Sequence, residues 1–322
     1  MATNIGLVLD FEKPVLELEK QIEELKQFSQ EKGIDMADQI AALEEKANNL
    51  RWNIFKNLTP WQRILIARHA KRPTFLDYVG MITTDFIELH GDRLYRDDPS
   101  LIGGIAYLDG IPVTIIGQQK GRDTKEKILR NFGQPHPEGY RKALRLMHQA
   151  DKFNRPLICL VDVVGAFPGV EAEERGQGEA IARNILEMAN LSIPVIVVIT
   201  GEGGSGGALA VGVGNRVLIM ENSYYSVISP EGCASILWKD AAKASDAAEA
   251  LKLSPENLLE LGIVDEIIPE PLGGAHKNPS EAAANLKNSI LKHLWELMNL
   301  SRTELVEQRY QRFRSYGVFF ED

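Results

Sequence analysis

Residues 194–213 have the sequence PVIVVITGEGGSGGALAVGV: an apolar run, a glycine-rich segment and a helical pattern in succession. Five of the seven residues at 201–207 are glycine. The apolar run barely alternates in polarity, as expected of a strand buried on both faces of a sheet. The stretch therefore predicts a strand, a tight turn and a helix, the basic unit of an α/β fold.

Similar units lie on both sides of this stretch. Apolar runs rich in Val and Ile occur at 102–108, 112–117, 156–161, 194–200, 216–220 and 263–268. Helical patterns occur at 138–153, 171–190, 205–213, 229–239 and 280–300, the last of which is expected to close the chain. Alternation of this kind predicts an α/β domain with mostly parallel strands.

The first sixty residues have a helical pattern instead. Apolar residues recur at spacings of three and four within 15–25 and 36–54, which predicts two helices joined as a hairpin. The hairpin would pack within this chain or against a partner subunit. Pro60 and Pro73 interrupt the pattern, so we predict a hairpin at 1–72 and a catalytic domain with a C-terminal helix at 73–322.

Composition narrows the class of protein. The net charge of −9 over 322 residues argues against a general nucleic-acid binder, although residues 120–155 hold ten basic side chains. That stretch is either a solvated surface or a site for a phosphorylated or carboxylated ligand. No apolar run could span a membrane, no secretory signal opens the chain, and Cys159 and Cys233 lack metal-ligand spacing. A cytoplasmic chain without a metal of its own is expected.

The glycine-rich segment has several interpretations. The start of the helix after it would expose N–H groups, so the backbone of Gly206, Gly207 and Ala208 could stabilise a developing oxyanion. The spacing at 201–206 also matches a dinucleotide fingerprint, with Glu221 on the ribose. The residues around Ser205 match a nucleophile elbow, with His276 as a nominal base. Alternatively, the glycines only let the helix pack closely on the sheet.

A second glycine-containing turn favours the oxyanion interpretation. Gly165 and Ala166 follow the apolar run at 156–161, and a helical pattern follows them. Two successive strand–turn–helix units would thus each present glycines at a helix start. The crotonase-like fold builds oxyanion holes for thioester enolates from units of this kind.

Long blocks of sequence also resemble one family, the alpha subunit of bacterial and plastid-type acetyl-CoA carboxylase carboxyltransferase. The blocks lie at 92–93, 117–122, 130–133, 137–145, 165–166, 172–177, 201–210, 229–234, 268–276 and 309–311. Val163 and Val164 depart from the Thr-Pro usual in the family, and the loss of the proline predicts a less rigid turn there.

The resemblance implies a crotonase-like spiral of β-β-α units behind the N-terminal hairpin. It implies transfer of a carboxyl group from carboxybiotin on a biotin carboxyl carrier protein to acetyl-CoA, giving malonyl-CoA for fatty acid synthesis. It further implies an α2β2 assembly with a beta subunit that holds zinc and most of the acetyl-CoA site. Biotin carboxylase would join an ATP-binding larger complex, in the cytoplasm or the plastid stroma.

By the same resemblance, this chain supplies the biotin side of the active site. Gly165 and Ala166 would contact substrate together with the backbone of the glycine-rich segment, and Lys120, Arg122 and Arg141 are candidates to hold a carboxylate or CoA phosphates. No side-chain base is required, and Ser205 would be a helix cap. Two other classes stay open: an NAD-dependent oxidoreductase using residues 201–206, and a non-catalytic scaffold that docks the carrier.

Overall fold

A computed structural model describes residues 8–317, which form one eight-stranded sheet with helices on both faces and a helical hairpin at the N-terminus. The strands are β1 Thr84–Glu88, β2 Leu101–Leu108, β3 Ile111–Gln118, β4 Leu157–Val163, β5 Val195–Gly204, β6 Arg216–Met220, β7 Tyr224–Ser226 and β8 Glu266–Ile268.

Fourteen α-helices lie within the described residues. They are α1 Lys13–Lys32, α2 Ala37–Lys56, α3 Pro60–Ala67, α4 Phe75–Ile82, α5 Thr124–Leu129, α6 Pro137–Lys152, α7 Val170–Glu174, α8 Gln177–Asn190, α9 Ser205–Leu209, α10 Pro230–Trp238, α11 Ala244–Ala250, α12 Pro255–Glu260, α13 Pro279–Met298 and α14 Arg302–Arg314.

The sheet has the order β1-β2-β3-β4-β5-β6-β8, and β7 pairs with the end of β5. The pairs β1·β2 and β2·β3 are antiparallel and all the others are parallel, so the prediction of mostly parallel strands is confirmed. Every residue of β4 and β5 is buried. Alternate β4 side chains face opposite layers: Cys159 packs in the layer of α6 and α8, and Ile158 in that of α4 and α13.

The predicted helical hairpin is present as α1 and α2. The first helix ends at Gly33, whose φ of 64° lets the chain turn, and Lys26 pairs with Glu44 across the hairpin at 2.7 Å. Helix α3 packs elsewhere: Ile64 lies in one apolar cluster with Tyr224 of β7. The division into two parts at 72/73 stays a prediction. Residues 1–7 and 318–322 lie outside the described part of the chain. The outer ends of the two predicted parts, and the predicted absence of a secretory signal, fall on those residues.

Five predicted elements need correction. The helix predicted at 205–213 ends at Leu209, and the strand predicted at 263–268 begins at Glu266. Residues 201–204 belong to β5, because 202–204 pair with β7, so the predicted tight turn is a strand up to Gly204. The single helix predicted at 171–190 is two helices, since Gly176 has a φ of 83°, which no right-handed helix contains. The chain does not end with the helix predicted at 280–300, because α14 follows α13.

Candidate active site

The junction of β5 and α9 forms the first part of the candidate site. Gly204 is the N-cap of α9, and Ser205, the first helical residue, has a φ of 52°. The N–H groups of Gly206 and Gly207 belong to the first turn and have no acceptor within the helix. The N–H group of Ala208 is the first to have one, because the carbonyl of the N-cap accepts it. Ser205 is therefore not the cap that the sequence predicted.

The turn at Gly165 and Ala166 lies directly against the junction of β5 and α9. A Cβ atom built on Gly207 would lie 2.6 Å from both the nitrogen of Ala166 and the carbonyl carbon of Gly165. Likewise, a Cβ on Gly204 would lie 2.0 Å from the carbonyl oxygen of Val164. The structure thus brings Gly165 and Ala166 to the start of α9, and the glycines make that approach possible. Close packing of the two segments is therefore sufficient to explain why residues 204 and 207 are glycine.

Ser205 and Gly206 face a cavity of about 480 Å³. Most of its wall is apolar, including Leu209, Val227 and Phe313. An anionic or strongly polarised oxygen placed at the N–H group of Gly206, beside this apolar wall, would be held more tightly than in water.

A charged cluster lies on the other side of the end of β5. The Nζ atom of Lys120 lies 2.6 Å from Asp162 Oδ1 and 2.7 Å from Glu202 Oε1. The other oxygen of Glu202 accepts hydrogen bonds from Arg68 Nε at 2.7 Å and from the Tyr224 hydroxyl at 2.6 Å. A second cavity of about 300 Å³ is surrounded by the charged members of this cluster, with Arg72 and Phe132 among others.

The charges in this cluster hold each other ionised. Burial alone would raise the pKa of Glu202, but the charges of Lys120 and Arg68 outweigh it and lower that pKa to about 2. Burial would likewise lower the pKa of Lys120, but Asp162 and Glu202 raise it above its ordinary value. An ammonium held protonated in this way is neither a base nor a nucleophile at neutral pH.

The other two predicted cationic residues lie apart from this cluster. Arg122 is mostly exposed and pairs with Asp77. Arg141 donates to Asp92 Oδ2 at 3.0 Å and to Glu138 at 3.3 Å, and it lines a separate hollow with Arg145 and others. The structure therefore does not gather Lys120, Arg122 and Arg141 into one anion site, and a carboxylate already occupies each of them.

The two other motif interpretations lack their required geometry. A dinucleotide fingerprint needs a glycine loop, but residues 201–204 are strand, and the carboxylate of Glu221 accepts the N–H of Glu270 at 2.9 Å. The strand-to-helix position and positive φ of Ser205 do fit an elbow. Its nominal base does not: His276 stacks on His69, and neither ring nitrogen has a hydrogen-bond partner among the described residues.

Sequence reasoning missed Arg68, Gln118, Asp162 and Glu202 as site residues. One signal was available: Asp162 and Glu202 are charged residues at the carboxyl ends of apolar runs, where ligand sites of α/β sheets form. Within residues 8–317, no group of three or more His, Cys, Asp or Glu side chains is arranged to hold a metal ion. In the same part of the chain, no helix is both long and apolar enough to cross a bilayer.

Solved structures with this fold define the class as crotonase-like. Transcarboxylase 12S with bound methylmalonyl-coenzyme A aligns with a TM-score of 0.54 at 19% identity, covering 76% of this chain and 42% of that chain. The beta subunit of geranyl-CoA carboxylase from P. aeruginosa aligns with a TM-score of 0.55 at 16% identity, over 81% of this chain and 48% of that chain. The predicted fold class is confirmed.

Sequence comparison then gives the family. The family model described as acetyl co-enzyme A carboxylase carboxyltransferase-like matches residues 8–317. The acetyl-coenzyme A carboxylase carboxyl transferase subunit alpha of Thermus thermophilus is 58% identical over 97% of this chain and 99% of its own length, and that of Halalkalibacterium halodurans is 57% identical over 97% and 96%. The chain belongs to the family of acetyl-CoA carboxylase carboxyltransferase alpha subunits, and it is a transferase subunit of a multisubunit enzyme.

Proposed function

We propose that this chain forms the biotin side of the carboxyltransferase active site, where a carboxyl group passes from carboxybiotin on a biotin carboxyl carrier protein to acetyl-CoA. One observation carries the proposal: Gly206, whose N–H group has no acceptor within α9, lines a largely apolar cavity, and Gly207, the next residue of that helical turn, lies against Gly165 and Ala166. The product would be malonyl-CoA for fatty acid synthesis.

The residues present suit a biotin ring. The ring system is mostly apolar with one polar ureido group, and the cavity pairs an apolar wall with the N–H group of Gly206 at one edge. When bound, biotin supplies the carboxyl group and, after its loss, a nitrogen that can accept the methyl proton of acetyl-CoA. The backbone at Gly206 and Gly207 would donate to the ureido oxygen as negative charge develops on it.

The roles of the other predicted residues follow from their surroundings. Ala208 would support this cradle through packing, because its own N–H is used within α9. Gly165 and Ala166 would shape the cradle from the neighbouring turn, and no backbone acceptor within residues 8–317 takes their N–H groups. Because Arg122 and Arg141 are already paired, we assign them to surface and packing and place the CoA phosphates mainly on the beta subunit.

The proposed assembly is α2β2, with zinc on the beta subunit and biotin carboxylase, the component that would bind ATP, in the larger complex. We further propose that the hairpin α1–α2 docks a partner. None of the apolar core clusters of the described residues includes a hairpin residue, so the hairpin adds little to the core of this chain. The compartment would be the cytoplasm, or the stroma in a plastid.

Co-expression with a beta subunit tests the function. The purified complex is expected to carboxylate free biotin in the presence of malonyl-CoA, the reverse of the physiological direction. A well-formed complex that is silent in this assay would contradict the proposal. Titration with NAD provides the control for the oxidoreductase alternative, and no binding is expected. A non-catalytic scaffold would still bind the carrier protein in that experiment but would leave biotin uncarboxylated.

A further inference from the structure

We propose that Lys120, Asp162 and Glu202 are positioning residues: their buried ion pairs hold two backbone segments of the active site at a fixed separation. These segments, called the two turns below, are the start of α9 and the turn at Gly165 and Ala166. The inference rests on the proposed function of those turns. It gives Lys120 a different role from the substrate contact that the sequence suggested.

The three residues connect three neighbouring strands. Lys120 follows the end of β3, Asp162 lies near the end of β4, and Glu202 lies near the end of β5. The ammonium group of Lys120 bonds to both carboxylates, and Asp162 Oδ1 also accepts the N–H of Glu202 at 2.9 Å. Only two residues separate Asp162 from Gly165, and three separate Glu202 from Gly206. A shift of either strand end therefore moves one turn relative to the other.

Two further contacts extend the cluster to the turns. The side chain of Gln118 accepts the N–H of Asp162 at 3.2 Å and donates to the carbonyl of Gly207 at 3.4 Å. A Cβ on Gly201 would lie 2.4 Å from Asp162 Oδ1, so the carboxylate occupies the space that a side chain there would fill. Residue 201 therefore has to be glycine because the Asp162 carboxylate fills the space beside it, and not because the chain turns there.

The charge balance argues against a substrate contact. Lys120 already has two carboxylate partners, and its side chain is 22% exposed, with those of Asp162 and Glu202 at 10% and 8%. Arg68 and Tyr224 occupy the second oxygen of Glu202. An added anion would compete with two preorganised carboxylates for one ammonium group. Displacement of even one of them would leave a buried charge unpaired.

The test uses the complex with the beta subunit and the carboxylation of free biotin. In Lys120→Cys, we expect kcat to fall about 100-fold, the scale of losing an oxyanion-hole donor, with KM for malonyl-CoA and biotin within threefold of wild type. Alkylation of the new thiol with 2-bromoethylamine restores an ammonium at the same reach and is expected to restore kcat. Alkylation with iodoacetamide adds no charge and is not expected to restore kcat. The native cysteines are both buried. Lys243→Cys, at an exposed lysine, is the matched control and is expected to keep wild-type kcat.

A second variant covers the case in which Lys120→Cys does not assemble. Lys120→Met with Asp162→Asn removes one positive and one negative charge and keeps the pair of Glu202 with Arg68. Loss of kcat in this assembled variant supports the positioning role, and wild-type kcat overturns it. A raised KM with unchanged kcat in either variant also overturns it, because that result indicates a substrate contact. If the wild-type complex itself is inactive, the proposed function fails instead.

Discussion

Gly206 and Gly207 are adjacent in sequence but have different neighbours. A Cβ on Gly206 would meet only the side chain of Ile181, at 3.6 Å, whereas a Cβ on Gly207 would meet backbone atoms at 2.6 Å. We therefore expect Gly206→Ala to keep carboxyl transfer within a few-fold, because its N–H group remains. Gly207→Ala should force Gly165 and Ala166 away and lower kcat by about 100-fold, the scale of a lost oxyanion-hole donor.

Steady-state kinetics of both variants in the complex with the beta subunit measure this difference. Thermal unfolding of each variant serves as the control, because Gly207→Ala is also expected to lower the melting temperature. Equal effects of the two substitutions on kcat would contradict the assignment. The value of kcat would then depend on having glycine at both positions and not on the close approach of the two turns at Gly207.

Ser205 combines an exposed side chain with a positive φ, which resembles a nucleophile at an elbow. We expect Ser205→Ala to retain carboxyl transfer within about threefold, because no hydrogen bond joins this hydroxyl to a histidine within residues 8–317. A catalytic serine would instead lose several orders of magnitude, as in a triad. Turnover of biotin and hydrolysis of malonyl-CoA, measured side by side, distinguish the two outcomes.

The sequence predicted the backbone geometry near the glycines better than it predicted the surroundings of the cationic side chains. The start of α9 and the turn at Gly165 follow local rules, since an apolar run, glycines and a helical pattern are all visible in one stretch of chain. The partners of Lys120 are not local: Asp162 and Glu202 lie 42 and 82 residues away. A cluster of basic residues in sequence therefore gave no indication that Lys120 and Arg141 are already neutralised.

At the scale of elements, α14 is anchored by one buried arginine. The guanidinium of Arg309 donates to the carbonyls of Met188 at 3.0 Å, Leu191 at 2.6 Å and Ile193 at 3.0 Å. These carbonyls lie at the C-terminal end of α8 and just beyond it, where a positive charge is favoured by the helix dipole. The cation thus joins the last helix to the helix that precedes β5.

We expect Arg309→Met to lower the free energy of unfolding by about 3 kcal/mol or more, because several buried carbonyls would lose a charged donor. Urea denaturation measures the change. Arg314→Met, at an exposed position of the same helix, is the matched control, with an expected change of about 0.5 kcal/mol or less. Similar losses in the two variants would mean that α14 is held by its apolar face and not by Arg309.

The boundaries of helices and strands were predicted well where an apolar pattern begins or ends there. They were predicted poorly where the boundary lies at a glycine. The strand predicted at 216–220 coincides with β6, and most other runs differ by one or two residues. Glycine at 201–204 suggested a turn, but pairing with β7 extends these residues into β5. Glycine at 176 suggested nothing, yet it breaks the helix. A glycine permits both outcomes, and distant contacts choose between them.

For the whole molecule, the class of fold followed from the sequence because buried parallel strands leave long apolar runs. The strand order did not, since runs of similar composition can be arranged in many ways. The pairing of β7 with β5, for example, brings together two distant segments, and the Tyr224 hydroxyl donates a hydrogen bond to Glu202 across it. The candidate site lies where these unpredicted contacts meet the predicted turns. Folding of the entire sheet is therefore a precondition of the site.

A half-buried histidine, His276, should contribute to the loss of stability of the whole chain in mild acid. Burial, reinforced by the nearby charges of His69, Lys277 and Arg72, lowers the pKa of His276 from 6.5 to about 3. The unfolded chain therefore binds this proton first as the pH falls, and stability is lost between about pH 6.5 and pH 3.

We expect His276→Phe, which keeps an aromatic ring against His69, to remove that part of the pH dependence. The ring is partly exposed, so after allowance for solvent screening the effect is at most about 1 kcal/mol per pH unit. Urea denaturation at pH 7, 6 and 5 measures it, with the exposed His148→Phe as the matched control. Wild type should lose more stability than His276→Phe over this range, and His148→Phe should follow wild type. If all three proteins lose stability in parallel, acid sensitivity arises elsewhere, and the stacked pair of His69 and His276 only fills space.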